Sequence, residues 1–184
     1  MRGDNLRKIL FRAKSIDKYK KNEWVEGYVF DDDYENGKLF VGSLEIQEYK
    51  GTACDDWDIV GSCFYEVDQN TVCQYTEQDI EENKIWENDI LEYDGDGCAR
   101  CIGVVKYGNY IQDGSGGEYS GRECIGFYVE MIKLIPYEWE DETVEEIFEY
   151  FPHYYKKYSL AEILKQKDVK KIGNAFDNPK LLER

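Results

Sequence analysis

The sequence predicts a mainly β fold, α+β overall, with a small β-barrel core built from N-terminal β-hairpins and a helical C-terminal elaboration. Up to about residue 130, short runs rich in Val, Ile, Tyr and Trp alternate with turns rich in Gly and Asp. Many short antiparallel strands joined by such turns are typical of small barrels. Beyond that point the apolar residues take the spacing of an amphipathic helix, which indicates a change of architecture.

The first part of the chain contains the predicted hairpins. Strands are expected in "LRKILFRAK", "WVEGYVF", "KLFVGSLEI" and "WDIVGSCFYEV". Asn36-Gly37 lies between the second and third of these runs and favours a tight turn, because both residues tolerate positive φ.

The middle of the chain holds "TVCQYTEQDIEENKIWENDILEY", residues 71–93. It predicts two strands, "TVCQY" and "DILEY", with the polar turn "EQDIEENK" between them. "DGDG" at 94–97 predicts a second tight turn, and "CARCIGVVKYGNYIQ" predicts one long or broken strand. A glycine-rich loop, "DGSGGEYSGRE", separates that strand from the next one, "CIGFYVEMI".

The segment "DETVEEIFEYF" predicts a helix. Val144, Ile147, Phe148 and Phe151 recur at i, i+3, i+4 and i+7, which places them on one helical face, and Pro152 ends the helix.

A second short helix is expected in "SLAEILKQ", where Ser159 and Glu162 have the spacing of a capping box. "VKKIGNAF" predicts a last strand. "DNPKLLER" predicts a final helical turn with Asp177 or Asn178 as its cap and Pro179 in the first turn.

The charge balance restricts the classes of partner. The chain has 39 acidic and 23 basic residues, which gives a net charge of −16. Such a surface repels phosphate, so nucleic acid is a disfavoured partner. The N-terminal sequence has only short apolar runs, so no signal peptide and no membrane span are expected. We therefore expect a soluble protein of the cytoplasm, whose six Cys are reduced thiols.

Acidic and basic residues are separated near the C-terminus. Residues 138–149 include seven acidic side chains, and residues 156–171 include Lys156, Lys157, Lys165, Lys167, Lys170 and Lys171. The two segments could pair within one chain or between subunits, or both could be solvated helix surfaces. Together with the many Tyr and Trp in predicted strands, this contrast motivates the expectation of a homo-oligomer.

No motif predicts a catalytic, cofactor-binding or metal-binding residue. Cys98 and Cys101 form a single CxxC, but no second CxxC or His pair completes a zinc site, so we expect buried or half-exposed thiols there. His153 lies in an aromatic run and has no nearby nucleophile motif, which favours a packing role. The glycine-rich loop lacks the Lys-Ser or Lys-Thr of a phosphate loop.

Residues 71–93 resemble the signature of the YopX family of bacteriophage and prophage proteins. That signature is a Thr-Val-Gly-Gln-Tyr-Thr run, a polar turn with Gly-Lys, an Ile-Tyr-Glu-Gly-Asp run and an apolar strand. The matching residues here are Thr71, Val72, Gln74, Tyr75, Thr76, Lys84, Ile85, Glu87, Asp89 and Ile90. "ILFRAKS" near the start and "KKIGNAFDNPKLLE" near the end resemble the family's opening and closing patterns.

Four residues depart from the signature: Cys73, Asn83, Trp86 and Asn88. Asn83 and Asn88 stand where the family has Gly, and Asn is the residue that best replaces Gly at positive φ, so we expect both turns to survive. We interpret the segment as a determinant of the fold, in which Gln74 and Thr76 bond turn backbone groups and Asp89 caps the turn before the next strand.

The resemblance implies a single domain over residues 1–184, with an SH3-like barrel, self-association and a phage or prophage origin, hence a host bacterial cytoplasm. It divides the chain into a β-rich part, 1–135, a helical insertion, about 136–168, and a closing strand and turn, 169–184. It implies no activity. We therefore expect a non-enzymatic accessory protein that binds an unknown protein or assembles with itself. The alternatives are a nucleic-acid-binding barrel and an acidic DNA mimic that captures a basic host protein.

Overall fold

The computed structural model shows a chain that divides into two compact units, residues 1–77 and 78–184. The residues that the structure describes are 9–32, 37–49, 56–95, 99–112, 121–137 and 157–183. Strands hold 67% of them and helical turns hold 8%, which confirms the prediction of a mainly β fold.

Eleven strands and one short α-helix occur in the described residues. The strands are β1 (Phe11–Lys14), β2 (Trp24–Asp31), β3 (Leu39–Tyr49), β4 (Asp56–Glu66), β5 (Cys73–Ile80), β6 (Asn83–Trp86), β7 (Asp89–Gly95), β8 (Ala99–Gln112), β9 (Arg122–Pro136), β10 (Lys157–Ser159) and β11 (Lys170–Asn174). Helix α1 is Leu160–Ile163, and two 3-10 turns cover Gln69–Thr71 and Pro179–Leu182.

The strands form two open sheets. The first has the order β4-β3-β2-β1-β5-β6 and the second the order β10-β9-β8-β7-β11. A barrel closes only when its two edge strands pair with each other. Among the described strands, β4 and β6 end the first sheet and β10 and β11 end the second. The expected SH3-like barrel is therefore not observed. The antiparallel pairing of β2 with β3, which Asn36-Gly37 predicted, is confirmed, although Asn36 itself lies outside the described residues. β1–β2 and β3–β4 are antiparallel pairs as well.

Unit 1 has its core on one face of the first sheet. Ala13 of β1, Val25 of β2 and Val41 of β3 point to that face, together with Val67 just after β4, and all four are buried. They come from neighbouring strands and pack together on one side of the sheet, as residues that share a sheet face do.

Unit 2 has its main core between the second sheet and helix α1. The buried residues of this cluster are Ile85, Leu91, Tyr93, Cys101, Val105, Val129, Leu160 and Ile163. A second cluster, built on Ile90, Ile102 and Val104, contacts Ile172 and the final 3-10 turn. Apolar side chains on both faces explain why β7 and β8 have continuous apolar runs in the sequence.

The segment 71–93 folds differently from its predicted strand–turn–strand form. Strand β5 continues to Ile80, the turn shortens to Glu81 and Glu82, and β6 follows it directly. Glu81 and Glu82 have φ of 49° and 67°. This is the geometry of a two-residue hairpin turn, which usually selects Asn or Gly, so two Glu residues give no sequence signal for it.

The predicted acidic helix, and Pro152 and His153 with it, lies outside the described residues. In "SLAEILKQ" the helix α1 covers only Leu160–Ile163, so the predicted helical C-terminal elaboration is not confirmed, and the Ser159 side chain makes no capping hydrogen bond. Glu162 instead accepts a hydrogen bond from Lys165 Nζ at 2.7 Å, so the predicted capping box is wrong. The last strand is confirmed as β11. Asn178 occupies the cap position of the final 3-10 turn, ahead of Pro179, but its side chain makes no capping hydrogen bond.

Tyr93 is a buried phenol in the core of unit 2. Among the described residues its hydroxyl has no hydrogen-bond partner. Burial raises the pKa of this phenol, and the neighbouring Cys101 and Tyr158 raise it further. Its pKa therefore lies above that of the unfolded chain, which makes folding stability fall as the pH rises.

We predict that Tyr93→Phe flattens this alkaline loss of stability. Above about pH 10 the unfolded phenol ionises while the buried one stays neutral, so wild type loses up to about 1.4 kcal/mol per pH unit from this group. Below that pH the variant should match wild type within about 1 kcal/mol, since it removes only an unpartnered hydroxyl. Urea unfolding at a series of pH values measures both effects. Tyr107→Phe, at a half-exposed position, is the control, and equal alkaline slopes for the two variants would contradict the prediction.

Candidate protein-docking face

The first sheet has a second face, opposite the Val41 core of unit 1. Because side chains alternate along a strand, this face carries the residues of β2, β3 and β4 that the core does not use. We call it the outer face and define it by eight apolar residues: Tyr28, Phe30, Phe40, Leu44, Ile46, Trp57, Ile59 and Phe64.

The outer face is solvent-exposed over most of its length. Six of its eight residues are between 44% and 61% exposed, with Trp57 the most exposed, whereas Val41 on the opposite face is fully buried. Phe40 and Phe64 are half-buried, and the rings of Phe30 and Phe64 meet edge to face with centroids 4.8 Å apart. A row of exposed apolar side chains on one sheet face is the feature that marks interaction surfaces of soluble proteins.

A β-bulge makes this face apolar. The pairing of β3 with β4 shifts between Glu45 and Ile46, so Ile46 lies opposite Ile59, and Glu48 lies opposite Trp57. Without the shift, the partner of Glu48 would be Asp58. The bulge therefore brings Trp57 and Ile59 of β4, instead of Asp58, to the face that holds Leu44 and Ile46 of β3, which is the re-aiming of side chains that bulges provide.

The distal part of the β3–β4 hairpin is an arm. We define the arm as Ser43–Tyr49 of β3 with residues 56–63 of β4. The pairing of β2 with β3 ends at Gly42, and β4 is an edge strand, so neither edge of the arm pairs with another described strand. A two-stranded ribbon in water is only marginally stable by itself, and open edges invite further contacts.

The two faces of the arm differ in chemistry. Leu44, Ile46 and Ile59 lie on the outer face, while Glu45, Gln47 and Asp58 lie on the opposite one. The arm is thus an amphipathic ribbon, and its described residues are almost all exposed. A globular protein normally covers the apolar side of such a ribbon.

Asp89, in the segment 71–93 that resembles the family signature, has a structural role in unit 2. The Asp89 carboxylate is fully buried, and its Oδ2 accepts a hydrogen bond from the Trp86 backbone N–H at 2.9 Å. The same oxygen lies 2.8 Å from Lys171 Nζ, which also donates to the Lys84 carbonyl at 3.0 Å. The prediction that Asp89 caps the turn before β7 is confirmed, and the ion pair to Lys171 is an addition that the sequence did not indicate.

The two Asn substitutions in the signature behave differently. Asn88 has a φ of 65°, so the expected replacement of Gly at positive φ is confirmed there. Its backbone N–H donates to the Val105 carbonyl, and its carbonyl accepts from the Ala175 N–H. Asn83 begins β6 after the turn, which makes the expectation of a turn position for it wrong.

A cleft of about 570 Å³ lies beside this ion pair. It is lined by Ile80, Glu81 and Asn83 on one side and by Val169–Gly173 on the other. The Lys171 ammonium next to it is already bonded to Asp89 and to the Lys84 carbonyl. The rest of its lining mixes apolar side chains with Glu81, Asn83 and Lys170, and we assign no ligand site to it.

The other sequence motifs give no site. Cys101 is buried in the core of unit 2, and Cys98 lies outside the described residues, as does most of the glycine-rich loop. The four cysteines that the structure describes do not form disulfides with one another. Within the described ranges no group of three His, Cys, Asp or Glu could hold a metal ion. No helix in the same ranges is long and apolar enough to span a membrane.

Comparison with protein-family models, with curated proteins and with solved structures gives no match for this chain. The outer face is therefore defined by its geometry alone. The sequence contains a signal for an apolar face on these strands. Leu44 and Ile46 alternate with Glu45 and Gln47, and Asp58 separates Trp57 from Ile59.

We predict that Asp89→Asn strongly destabilises the protein. Removing the carboxylate charge leaves the largely buried Lys171 ammonium without its anion, so the free energy of unfolding should fall by about 2–4 kcal/mol. Glu92→Gln on the same strand is the matched control, because Glu92 pairs with Arg100 at 3.6 Å on a more exposed surface. That control should cost less than about 1 kcal/mol. Urea unfolding near neutral pH measures the free energy of unfolding of both variants. Equal decreases for the two would show that the buried pair stabilises the fold no more than the exposed one.

Proposed function

We propose that this protein is non-enzymatic and acts by binding another protein chain through the outer face of unit 1. The observation that carries the proposal is the row of six apolar residues that are 44–61% exposed on one sheet face. Four of the eight outer-face residues are Phe or Trp and one is Tyr, and aromatic side chains dominate the binding energy of protein interfaces.

The arm also supports a protein partner. Its two open edges offer backbone N–H and carbonyl groups that a further strand can pair with. Its described charged side chains, Glu45, Glu48 and Asp58, are all acidic. A complementary partner surface is therefore apolar at its centre and neutral or basic at its rim.

We also infer that the chain is a YopX-like protein of phage or prophage origin, which acts in the cytoplasm of a host bacterium. The three segments that carry the resemblance support this, because they form neighbouring strands. Phe11 in the first segment pairs with Gln74 in the second, and Asp89 in the second pairs with Asn174 in the third. Segments that contact one another in this way constrain each other's sequence, as the signature of a fold does.

Nucleic-acid binding is the weaker alternative. Three of the six lysines between 156 and 171 already contact groups of the same chain: Lys157 donates to the Asn109 carbonyl, Lys165 pairs with Glu162, and Lys171 pairs with buried Asp89. Fewer ammonium groups than the sequence suggests are then available to neutralise phosphates, against a net charge of −16.

We predict that the double variant Ile46→Ser, Trp57→Ser loses the protein partner. Truncating two exposed apolar anchors of the arm should weaken binding at least about 30-fold, the effect of a typical hot spot. Both positions are exposed, so fold stability should change by less than about 1 kcal/mol. Affinity capture from bacterial host lysate, followed by titration of the purified partner, measures the loss.

The matched control is the double variant Glu45→Ser, Gln47→Ser, which changes the same arm on its opposite face. It should keep the partner within about threefold of wild type, since residues outside the interface core contribute little. If the outer-face variant keeps the partner and this control loses it, the interface lies on the opposite face of the arm, with Glu45 and Gln47. That result would contradict the proposal.

A further prediction concerns nucleic acid. At physiological salt we expect no measurable binding to single-stranded or duplex DNA, because the net negative field repels the polymer. Fluorescence anisotropy with labelled oligonucleotides over a salt series is the measurement. Salt-sensitive binding that disappears in the triple variant Lys165→Glu, Lys167→Glu, Lys170→Glu would support the alternative; Lys171 is left unchanged because the fold uses it.

A further inference from the structure

We infer that the arm binds an extended segment of its partner protein, which pairs along the open edge of β4 and alternates apolar residues with Lys or Arg. This inference rests on the proposed function and names the kind of partner. We define the open edge as residues 58–64 of β4, because no described strand pairs with β4 on that side. Strand addition of this kind takes its affinity from backbone hydrogen bonds and its specificity from alternate side chains.

The chain itself pairs with β4 at one end of this edge. The Ile16 backbone N–H donates to the Glu66 carbonyl at 2.9 Å. The Glu66 carbonyl therefore points away from β3 and towards the side of the open edge. In a regular antiparallel pair, alternate residues of a strand share this orientation. The backbone groups of Ser62 and Phe64 consequently point outward as well, where a further strand can reach them.

Two carboxylates lie over β4 on the face opposite the outer face. One belongs to Asp58 of β4, which is exposed. The other belongs to Glu45, which pairs with Gly61 and reaches over it from β3, since a Cβ atom on Gly61 would lie 2.9 Å from Glu45 Oε2. Because Val60 is the unpaired residue of the bulge, Asp58 and Gly61 are consecutive positions of this face. Such positions lie roughly 7 Å apart, which is also the spacing of alternate residues in an added strand.

The other face of the same edge is apolar. Trp57 and Ile59 of β4 are 61% and 47% exposed on the outer face. A strand added beside β4 places every second residue next to them, and apolar side chains there bury the most apolar surface. The remaining residues lie beside Asp58 and the Glu45 carboxylate, where Lys or Arg is attracted and Asp or Glu is repelled. The sequence pattern that fits is therefore an alternation of apolar and basic residues.

The open edge also excludes strands of other chemistry. A charged side chain and a bulge are two features by which natural edge strands avoid unselective pairing. Asp58 and the bulge at Val60 provide both features. A strand that is apolar on both faces gains nothing from the two carboxylates, and an acidic strand is repelled by them. The edge therefore selects its partner by repulsion as well as by attraction.

The experiment measures the binding of a fluorescein-labelled peptide, Val-Lys-Val-Lys-Val-Lys-Val, to the full chain by fluorescence anisotropy at physiological salt. It should bind at least about tenfold more tightly than Lys-Val-Val-Lys-Val-Val-Lys, which has the same composition without the alternation. This control accounts for the general attraction of a basic peptide to a chain with a net charge of −16. Val-Glu-Val-Glu-Val-Glu-Val should show no measurable binding.

The variant Ser62→Pro tests the backbone pairing. It removes an N–H group from the open edge and leaves the hydrogen bonds between β3 and β4 in place, because that N–H points away from β3. Binding of the Val-Lys peptide should weaken at least about tenfold, whereas Ser62→Ala keeps the N–H and should bind within about threefold of wild type. Urea unfolding shows whether both variants are folded.

The double variant Glu45→Lys, Asp58→Lys tests the charges, and it decides the question if Ser62→Pro does not fold. One exposed charge alters affinity only slightly, so both are reversed together. The variant should bind the Val-Lys peptide at least about tenfold more weakly and should gain binding of the Val-Glu peptide. Glu81→Lys, Glu82→Lys makes the same change of net charge in an exposed turn of unit 2 and should bind both peptides as wild type does.

Two results would overturn the inference. One is a Val-Lys peptide that binds no more tightly than its control of equal composition, and the other is binding that the double charge reversal leaves unchanged. The protein captured from lysate tests the proposed function separately. If its binding depends on Ile46 and Trp57 but not on the open-edge variants, the inference fails and the proposed function stands. If it does not depend on Ile46 and Trp57, the proposed function fails as well.

Discussion

Three backbones meet in unit 1 with no room for a side chain between them, and the outer face depends on that contact. A Cβ atom on Gly27 would lie 2.1 Å from the Gly42 carbonyl oxygen, and one on Gly42 would lie 2.0 Å from the Cys63 carbonyl oxygen. Only glycine permits such an approach. At this level β2, β3 and β4 lie side by side, and beyond it β3 leaves β2 to form the arm. The two glycines thus mark the change from a three-stranded sheet to a free ribbon.

Much of the fold could be predicted from the sequence, because most strands have strong local signals. The runs that became β1 to β4 and β7 to β9 are rich in β-branched and aromatic residues and end at Gly, Asp or Asn. Two short strands, β6 and β10, were missed. Their few residues are flanked by charged ones, and they pair only because longer neighbours present an edge to them. Whether a sheet closes into a barrel depends on pairing between distant strands, for which local patterns give no information.

The candidate site was visible in the sequence only in part. The alternation of Leu44 and Ile46 with polar residues predicts one apolar face for β3, and Trp57 and Ile59 predict one for β4. Whether these two faces coincide depends on the register, and the register depends on the bulge between Glu45 and Ile46. The extra residue of the bulge is Val60 of β4, since Gly61 pairs with Glu45 and Ile59 pairs with Ile46, and the isolated Gly61 beside it is the one local signal, which does not give the register. The sequence also gave no reason to expect that this side of the sheet would be left exposed.

The residues that resemble a family signature and the residues that offer a surface are different sets. Asp89 and Lys171 have their charges neutralised inside unit 2, and Asn88 has both backbone groups bonded to neighbouring segments. Groups used in this way are not available to a partner. The outer face has the opposite character, since Trp57 and Ile46 contribute little to the unit 1 core and remain in water. An exposed apolar side chain is unfavourable in the free protein, and burying it releases that free energy only when something binds. The residues that resemble the signature therefore stabilise the fold. The arm and the strands at its base are the part of the molecule whose exposed apolar side chains are stabilised by association.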